Sequence, residues 1–436
     1  MVSESTPIVV GLTGQFGAGC TEVVGEYLKE EGFHYYSLSD IVKASAQKNP
    51  SLFEYKKLSK KQLRSVLQDE GNKLRQAGSD AIAREIYKRI TANAHENEYI
   101  VIDSIRNPAE VEYFRMAFPQ RFFLLALDAS SAVRWLRKQS DYEDDDEKQF
   151  KQDDMRDKGD DEPPYGQHTE ACVYLSDVVI DNENQIAYRQ DWDLFFLNIK
   201  QYIDLMKNPG HREPTYKELY MHIAYAVSLK SSCNKRPVGA IIVSAGIPET
   251  GTVLRPRHEV ESYVLASGFN DVPIGERVCG ELGGRDNPRF CAKDDSEQKA
   301  LRTMKYCPAC GTELNVTSAD VVPYRCPECK AKLPRDFTPG KLLDLCRAVH
   351  AEEAAILQAA KLGSSSLNGA ELYTTTFPCL LCCKSIINAG IKKIVYREPY
   401  PMNESITMLR NCGIALEKYE GVNAWAFDKL FKVTMK

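Results

Sequence analysis

The first 205 residues of the chain alternate short apolar runs with longer stretches of helical periodicity. An apolar run without polar alternation is typical of a strand that is buried on both faces of a sheet. Because helical stretches separate these runs, the pattern predicts a parallel sheet covered by helices on both faces. The predicted strands are Ile8–Leu12, Tyr99–Asp103, Phe122–Leu127 and Val178–Ile180, and Thr21–Glu31 is a predicted helix.

A second α/β pattern begins at Thr215, after a proline- and glycine-containing stretch that predicts a linker at 208–214. We therefore predict an α/β protein with two domains, 1–207 and 215–436, and a compact cysteine-bearing insert at 304–334 in the second. In that domain the predicted strands are Val238–Val243, Ser262–Ser267, Glu371–Thr374 and Lys393–Tyr396, and helices are predicted over Thr215–Leu229, over Ala351–Leu362 and from Pro378.

Composition indicates a folded globular protein. The 436 residues are 43% hydrophobic and 27% charged, which excludes wholesale disorder. No apolar run reaches the roughly 18 to 20 residues that span a bilayer, and residues 1–5 lack the basic start of a signal peptide. These features predict a cytoplasmic protein.

The charge is unevenly placed along the chain. Residues 141–162 carry twelve acids and four bases, a local net charge of −8, whereas the whole chain has −5, so that the remainder carries +3. This distribution gives no broad basic surface of the kind that binds nucleic acid. The acidic segment interrupts the α/β pattern of the first domain, and we expect it to be mobile and lid-like.

Fourteen cysteines include three C-x-x-C pairs, and in a reducing compartment this spacing indicates metal binding. His350-Ala351-Glu352 followed by Pro378-Cys379-x-x-Cys382 is the signature of zinc nucleobase deaminases. The two cysteines would share one face of a helix that begins at Pro378, and the positive end of that helix favours thiolates. Together with His350 they provide three zinc ligands and leave one position for water.

Glu352 points away from His350, and we expect it to move protons and not to bind the metal. Taken separately, His-x-Glu is an ordinary polar helix start and C-x-x-C is also found in redox and structural sites. Both together, on successive helices separated by one strand, favour catalytic zinc.

A second cysteine set consists of two C-x-x-C pairs separated by fifteen residues. This spacing matches a structural four-cysteine zinc site, which is closed and does not catalyse. The alternatives are disulfides and inert thiols. The predicted ligands are Cys307, Cys310, Cys326 and Cys329.

Residues 14–21 follow a predicted strand and precede a predicted helix, the context that a phosphate-binding P-loop requires. Cys20 stands where a P-loop has lysine, which argues against phosphoryl transfer. Residues 102–108 and the helix bearing Arg134 and Arg137 resemble small nucleotide kinases. The alternative is a glycine-rich turn in a degenerate α/β domain. The predicted nucleotide-binding residues are Gly14, Gly17, Gly19, Cys20, Thr21 (with Mg²⁺) and Asp103, which resembles a Walker B acid.

Residues from Thr215 to about Tyr419 resemble the deoxycytidylate deaminases of the cytidine deaminase superfamily. Besides the zinc signature, the resemblance rests on Ser231–Ala240 and on Ser267–Pro273, with Asp271 where that family usually has glycine. It implies an α/β/α deaminase domain and a homo-oligomer, and the spacing of the four cysteines adds a zinc-ribbon insert to that domain. It also implies that Asn270 bonds the sugar and that the backbone at Ala351 holds the pyrimidine.

A P-loop kinase-like domain followed by such a deaminase resembles the bacterial anti-phage deoxycytidylate deaminases. That resemblance implies hydrolysis of dCTP and dCMP to dUTP and dUMP, depletion of the nucleotide pool during infection, and an N-terminal domain that senses a nucleotide. Alternatives are a cytosine or adenine deaminase acting on nucleic acid, a housekeeping dCMP deaminase, a nucleotide kinase with a structural zinc appendage, and a non-catalytic regulatory module. The intact Glu352 argues against the last.

Overall fold

The structure, a computed structural model, describes residues 7–48, 60–93, 98–142, 146–159, 162–183, 189–244, 263–282, 290–292, 307, 309–313, 326–331, 346–363, 366–399 and 403–431. The chain forms two compact units, one of Met1–Glu218 with Tyr419–Lys436 and the other of Leu219–Lys418. Parts of the predicted acidic segment and of the predicted zinc-ribbon insert lie outside the described residues. Among the helices that are described, none has both the length and the apolar character needed to cross a membrane.

The first unit contains a six-stranded sheet in the order β11-β5-β4-β1-β3-β2. Strands β1 to β5 run parallel, as the continuous apolar runs predicted. Strand β1 lies between β3 and β4, so the direction of strand order reverses at β1. The strands are β1 (Ile8–Thr13), β2 (His34–Ser37), β3 (Tyr99–Asp103), β4 (Phe122–Asp128), β5 (Val178–Asp181) and β11 (Gly421–Val422).

Helices separate the parallel strands of this unit, and their apolar sides supply part of its core. Ile82, Ile86 and Ile90 follow helical spacing on α4 and are all buried against the sheet residues Ile100 and Ile102. The predicted helix Thr21–Glu31 is instead a π turn over Cys20–Gly25 followed by a short α1. The helices are α1 (Glu26–Glu30), α2 (Leu38–Lys48), α3 (Lys60–Gln76), α4 (Ala81–Ala92), α5 (Pro108–Ala117), α6 (Ser131–Lys138), α7 (Glu147–Lys158), α8 (Thr169–Leu175), α9 (Arg189–Lys207) and α15 (Phe427–Phe431).

The C-terminal segment belongs to the first unit. The sequence instead predicted that the second domain extends to the last residue, over 215–436. Strand β11 pairs antiparallel with β5, placing Gly421 opposite Val179. The side-chain amide of Asn423 donates to the Ser176 carbonyl oxygen at 2.7 Å. The Lys429 ammonium group donates to the Phe122 carbonyl oxygen at 2.6 Å. These hydrogen bonds explain why Tyr419–Lys436 groups with the N-terminal residues.

The second unit contains a five-stranded mixed sheet in the order β10-β9-β8-β6-β7. Strands β8, β9 and β10 run parallel, and β6 is antiparallel to both of its neighbours. Helices α12 and α13 contribute Ala355, Ala359 and Ile386 to one buried core with the sheet. The elements are α10 (Tyr216–Ser228), which begins in the first unit, β6 (Gly239–Val243), β7 (Val264–Phe269), α11 (Cys279–Leu282), α12 (Ala351–Leu362), β8 (Glu371–Thr376), α13 (Leu380–Asn388), β9 (Lys393–Glu398), α14 (Asn403–Asn411) and β10 (Ala415–Lys418).

Asn423→Ala should destabilise the first unit. The substitution removes the Asn423 amide from the buried Ser176 carbonyl, which keeps the Trp425 indole N–H as a donor at 2.9 Å. The loss of one such hydrogen bond costs about 0.5–1.5 kcal/mol. We expect a lower midpoint in denaturant unfolding followed by the fluorescence of the unit's tryptophans. Asn411→Ala, at an exposed position at the end of α14, is the control and should leave the midpoint unchanged. Equal midpoints for the two variants would contradict the role assigned to Asn423.

Candidate metal centre and active site

Three predicted metal ligands meet at the start of two helices in the second unit. His350 is the N-cap of α12 and Cys379 is the N-cap of α13. The Nδ1 atom of His350 lies 3.3 Å from the Sγ atom of Cys379 and 3.4 Å from that of Cys382. All three ligand atoms lie within 4.8 Å of one another. Strand β8 lies between the two helices in the chain, as the sequence predicted.

This ligand set fits a tetrahedral zinc ion. With bond lengths of about 2.3 Å to sulfur and 2.0–2.1 Å to nitrogen, tetrahedral geometry places neighbouring nitrogen and sulfur ligands about 3.6 Å apart. The observed distances of 3.3 and 3.4 Å are close to that value. One imidazole and two thiols are also ligands that zinc accepts, and a three-ligand site leaves a position for water.

Local electrostatics favours one negative sulfur at this point, that of Cys379, since the hydrogen bond with Cys379 and burial raise the pKa of the Cys382 thiol. The N-terminal ends of α12 and α13 both face the cluster, and a helix N-terminus stabilises an anion. A hydrogen bond with Cys382 is the main cause that lowers the pKa of Cys379 to about 4. Hydrogen bonds with Cys346 and then with Cys379 raise the pKa of His350 to about 10. Sequence analysis did not identify Cys346, which belongs to none of the C-x-x-C pairs.

Glu352 is the second residue of α12, in the first turn, and lies beside the cluster but outside it. Its side chain is 4% exposed, and burial raises its pKa to about 7. The Cys382 thiol lies 3.5 Å from the Oε2 atom of Glu352. A carboxyl group with a pKa near neutrality can accept a proton and return it.

A cavity of about 150 Å³ opens over the cluster. Its lining includes Asn270, whose Oδ1 atom accepts hydrogen bonds from the Ser231 hydroxyl and the Val238 amide, both at 2.7 Å. The side-chain amide of Asn270 donates to the Arg236 carbonyl at 3.0 Å. Asn270 therefore fixes the loop that borders the cavity, and its contact with a sugar stays a prediction. The lining residues are Cys233, Arg236, Val238, Asn270, His350, Ala351, Glu352, Thr376, Phe377 and Cys379.

Pro378 does not occupy the first helical position that the sequence predicted. Helix α13 begins at Leu380 with Cys379 as its N-cap, so Pro378 precedes the cap. Cys379 takes extended backbone angles there, φ −73° and ψ 169°. Its thiol therefore lies at the helix end, and that of Cys382 lies in the first turn.

The second predicted cysteine set is also brought together. The Sγ atoms of all four residues lie within 4.8 Å of one another, including pairs at 3.8 Å (Cys307 and Cys329) and 3.6 Å (Cys310 and Cys326). Each C-x-x-C pair closes a similar turn, in which the residue after the second cysteine has positive φ. That residue is Gly311 (71°) in one turn and Lys330 (57°) in the other.

The predicted P-loop residues lie after β1, and protein groups occupy part of the loop. The Thr21 hydroxyl donates to the carboxylate of Asp103 at 2.7 Å, and the Cys20 thiol donates to the Thr13 carbonyl at 3.1 Å. The backbone amide of Phe16 donates to the Asp157 carboxylate at 3.0 Å. Asp157 belongs to α7, within the acidic segment, and sequence analysis assigned it no contact with the loop.

Glycines 14, 17 and 19 form this loop, and Gly17 and Gly19 both have positive φ, 82° and 100°. Such angles favour glycine and are common where a backbone bends tightly. The loop conformation therefore needs these glycines, and phosphate binding by them stays a prediction.

Comparison with known proteins agrees with the geometry of the second unit. The family model for the cytidine and deoxycytidylate deaminase zinc-binding region matches residues 214–398. The deoxycytidylate deaminase of Enterobacteria phage T2 is 31% identical over 204 residues, which cover 44% of this chain and 87% of that protein. The chain belongs to the deoxycytidylate deaminase family. The family's zinc-binding region contains the His350, Cys379 and Cys382 cluster.

Two further deoxycytidylate deaminases match a similar part of this chain. The Schizosaccharomyces pombe deoxycytidylate deaminase is 27% identical over 246 residues, which are 56% of this chain and 54% of that protein. The chain thus spans about half the length of that relative. The solved dCMP deaminase of cyanophage S-TIM5 in complex with dCMP and dUMP is 26% identical, with a TM-score of 0.27, and the match covers 48% of this chain and all of that one.

Gly268→Ala should disturb the deaminase metal centre. A Cβ atom at this position of β7 would lie 2.3 Å from the Ala351 carbonyl oxygen and 2.3 Å from the Ala355 amide nitrogen. Helix α12, which starts at His350, must then shift, and overpacking of this kind costs about 1–3 kcal/mol. We expect faster loss of zinc to a chelator, measured by metal analysis after dialysis.

Gly363→Ala is the matched control for this variant. Gly363 ends α12 with φ 60°, and nothing lies within 4 Å of an added Cβ. Its substitution strains the backbone without moving the start of the helix, so zinc should be retained. Equal zinc loss from both variants would show that general destabilisation is the cause.

Proposed function

We propose that the protein hydrolytically deaminates a free deoxycytidine nucleotide, with dCMP as its substrate. The observation that carries this proposal is the buried carboxyl group of Glu352 beside a His350, Cys379 and Cys382 cluster that fits zinc. A structural zinc site has no need of such a carboxyl group. Family membership supports the same reaction.

Zinc, when bound by these three residues, lowers the pKa of its water so that hydroxide is available near neutral pH. Glu352 accepts the proton that the attacking water loses as its oxygen adds to C4. The same carboxyl group then protonates N3, and a further proton transfer lets the C4 amino group leave as ammonia. The products are dUMP and ammonia, and the water supplies the new carbonyl oxygen.

The dimensions of the cavity suit a single base. Its 150 Å³ is below the roughly 300–1,000 Å³ of pockets that enclose a whole drug-sized ligand. The base would enter the cavity, and the sugar and phosphate would remain at the mouth of the cavity. Arg236 lines the cavity and is exposed, so its guanidinium group is available to a phosphate. In this arrangement Asn270 bonds the sugar and the backbone at Ala351 holds the pyrimidine edge.

The resemblance to anti-phage deaminases adds dCTP as a second substrate and nucleotide depletion during infection as the role. A housekeeping dCMP deaminase would use the same residues. A nucleic-acid deaminase would use the same zinc chemistry, but the charge distribution of the chain, −8 at 141–162 and +3 elsewhere, supports a free nucleotide. Incubation with dCMP, dCTP and single-stranded DNA separately, followed by product chromatography, distinguishes these activities.

The remaining parts of the proposal concern the rest of the chain. A second zinc ion held by Cys307, Cys310, Cys326 and Cys329 would stabilise their insert without catalysing a reaction. A nucleotide with Mg²⁺ at Gly14–Thr21 and Asp103 would regulate the deaminase. We also propose a homo-oligomer, on the resemblance, and a cytoplasmic location, on the composition of the sequence.

Glu352→Gln should abolish most of the deaminase activity. The amide cannot accept the proton of the attacking water, and general acid–base catalysis contributes typically 10²–10⁴-fold, so kcat for dCMP should fall by about that factor. The assay is ammonia release with zinc content measured in parallel. Glu353→Gln removes the adjacent, exposed carboxylate and should keep full activity. Activity of Glu352→Gln within threefold of wild type would refute the mechanism.

Metal analysis tests the two proposed zinc sites separately. The purified chain should hold two equivalents of zinc. Cys379→Ala should lose the one that supports activity, and Cys326→Ala should lose the other while the remaining zinc still supports dCMP turnover. Cys412→Ala, at an exposed cysteine outside both sets, should retain both ions. A wild-type content of one equivalent that Cys326→Ala leaves unchanged would refute the structural site.

A further inference from the structure

Two consecutive residues that follow β7 hold the loop 231–238, which borders the cavity over the metal cluster. The Oδ1 atom of Asn270 accepts hydrogen bonds from the Ser231 hydroxyl and from the Val238 amide, both at 2.7 Å. The carboxylate of Asp271 accepts a hydrogen bond from the Ser232 hydroxyl. The loop is therefore attached at its beginning to both residues and at its end to Asn270.

Asp271 stands at a position where deoxycytidylate deaminases usually have glycine. Glycine is favoured where φ is positive, and Asp271 is not among the described residues that have positive φ. The backbone therefore accepts a side chain at this position. The Oδ1 atom of that side chain accepts from the Ser232 hydroxyl and, at 2.8 Å, from the Val272 amide.

The main chain of Asp271 contacts a second part of the site. Its amide donates to the Val349 carbonyl oxygen at 3.1 Å, and the Val349 amide donates to the Asp271 carbonyl oxygen at 2.8 Å. Val349 directly precedes His350, the metal-ligand residue that caps α12. Further along the same segment, Glu276 forms an ion pair with Arg347. The segment that begins at Asp271 is thus bonded twice to the residues before His350.

The side chain and the main chain of Asp271 have different partners. Removal of the carboxylate would free the Ser232 hydroxyl but would leave both main-chain hydrogen bonds with Val349 in place. We therefore expect His350 to keep its position and loop 231–238 to lose one of its attachments. Such a change should affect the binding of a substrate more than the chemistry at the metal.

Loop 231–238 contributes Cys233, Arg236 and Val238 to the lining of the cavity. Arg236 is exposed, and in the proposed function its guanidinium group is available to the phosphate of the substrate. The two serines that precede these lining residues are hydrogen-bonded to Asn270 and Asp271. The position of the loop, and with it that of Arg236, therefore depends on these hydrogen bonds.

We propose that Asp271 is a positioning residue of the deaminase, whose carboxylate acts through Ser232 to hold loop 231–238 where it binds the nucleotide. Asp271 does not itself line the cavity, so it acts through the loop and not by contact with the substrate. This role rests on the proposed deamination of dCMP. It adds a determinant of substrate affinity that a glycine at this position could not supply.

Steady-state kinetics with dCMP on the full-length, zinc-loaded chain test this role. Asp271→Ala should raise KM about tenfold, because a hydrogen bond to a charged group is lost, while kcat stays within about threefold of wild type and the zinc content is unchanged. Asp271→Asn keeps an oxygen atom that can accept from the Ser232 hydroxyl and the Val272 amide. This conservative variant should restore most of the wild-type KM.

Ser232→Ala provides a test that leaves Asp271 in place. Ser232 is half-buried, and its substitution removes the same hydrogen bond, so that KM should rise by a similar factor. The double variant should have no higher KM than either single variant, because the two changes remove one shared interaction. Glu404→Ala is the control, since it removes an exposed carboxylate from the first turn of α14, and it should leave KM unchanged.

Three results would overturn the role of Asp271. One is a wild-type KM in a folded Ser232→Ala chain, which decides the matter even if Asp271→Ala fails to fold. Another is a double variant in which the two effects on KM add. The third is a loss of kcat in Asp271→Ala that matches the rise in KM and that Asp271→Asn does not restore. A wild-type chain without dCMP turnover would instead refute the proposed function, and with it this role.

Discussion

Two helices of the second unit, α12 and α13, must begin next to each other. His350 and Cys379 cap these helices, and each also supplies a metal-ligand atom. The β6–β8–β9 part of the sheet fixes the spacing between those helix starts, and the close approach of Gly268 to α12 fixes the depth of the first helix. The cavity, the burial of Glu352 and the hydrogen bond of Asn270 with the Val238 amide all depend on that arrangement. The metal centre thus depends on the packing of the sheet as much as on its ligands.

In the second unit, the sequence predicted a helix best where candidate functional residues stand at the start of a run with helical periodicity. The helix Ala351–Leu362 was predicted with its observed bounds, because a ligand, an acid and an apolar face all point to the same start. The strand before Cys379 was also predicted, and its end differs by two residues. The start of α13 was placed too early, because proline at the first helical position and proline before the cap have the same local sequence.

In the first unit, the long buried strands could be predicted and the contacts among polar residues could not. Tyr99–Asp103 is an uninterrupted apolar run that ends in an acid, so both the strand and the position of its last residue are visible in the chain. Gly421–Val422 is too short to show any alternation, and its pairing depends on β5, more than 200 residues earlier. The contacts of Phe16 with Asp157 and with the Arg64 guanidinium group depend on tertiary packing that no local pattern encodes.

The return of Tyr419–Lys436 to the first unit has a consequence for synthesis. Residues 219–418 are, in effect, inserted into the first unit, between Glu218 near the start of α10 and Tyr419 just before β11. A chain emerging from the ribosome N-terminus first must therefore make the entire second unit before β5 can receive its edge partner and before Ser176 and Phe122 can meet Asn423 and Lys429. Until then the exposed edge of β5 is a template for wrong pairing. The first unit can therefore be completed only after the second unit has been synthesised.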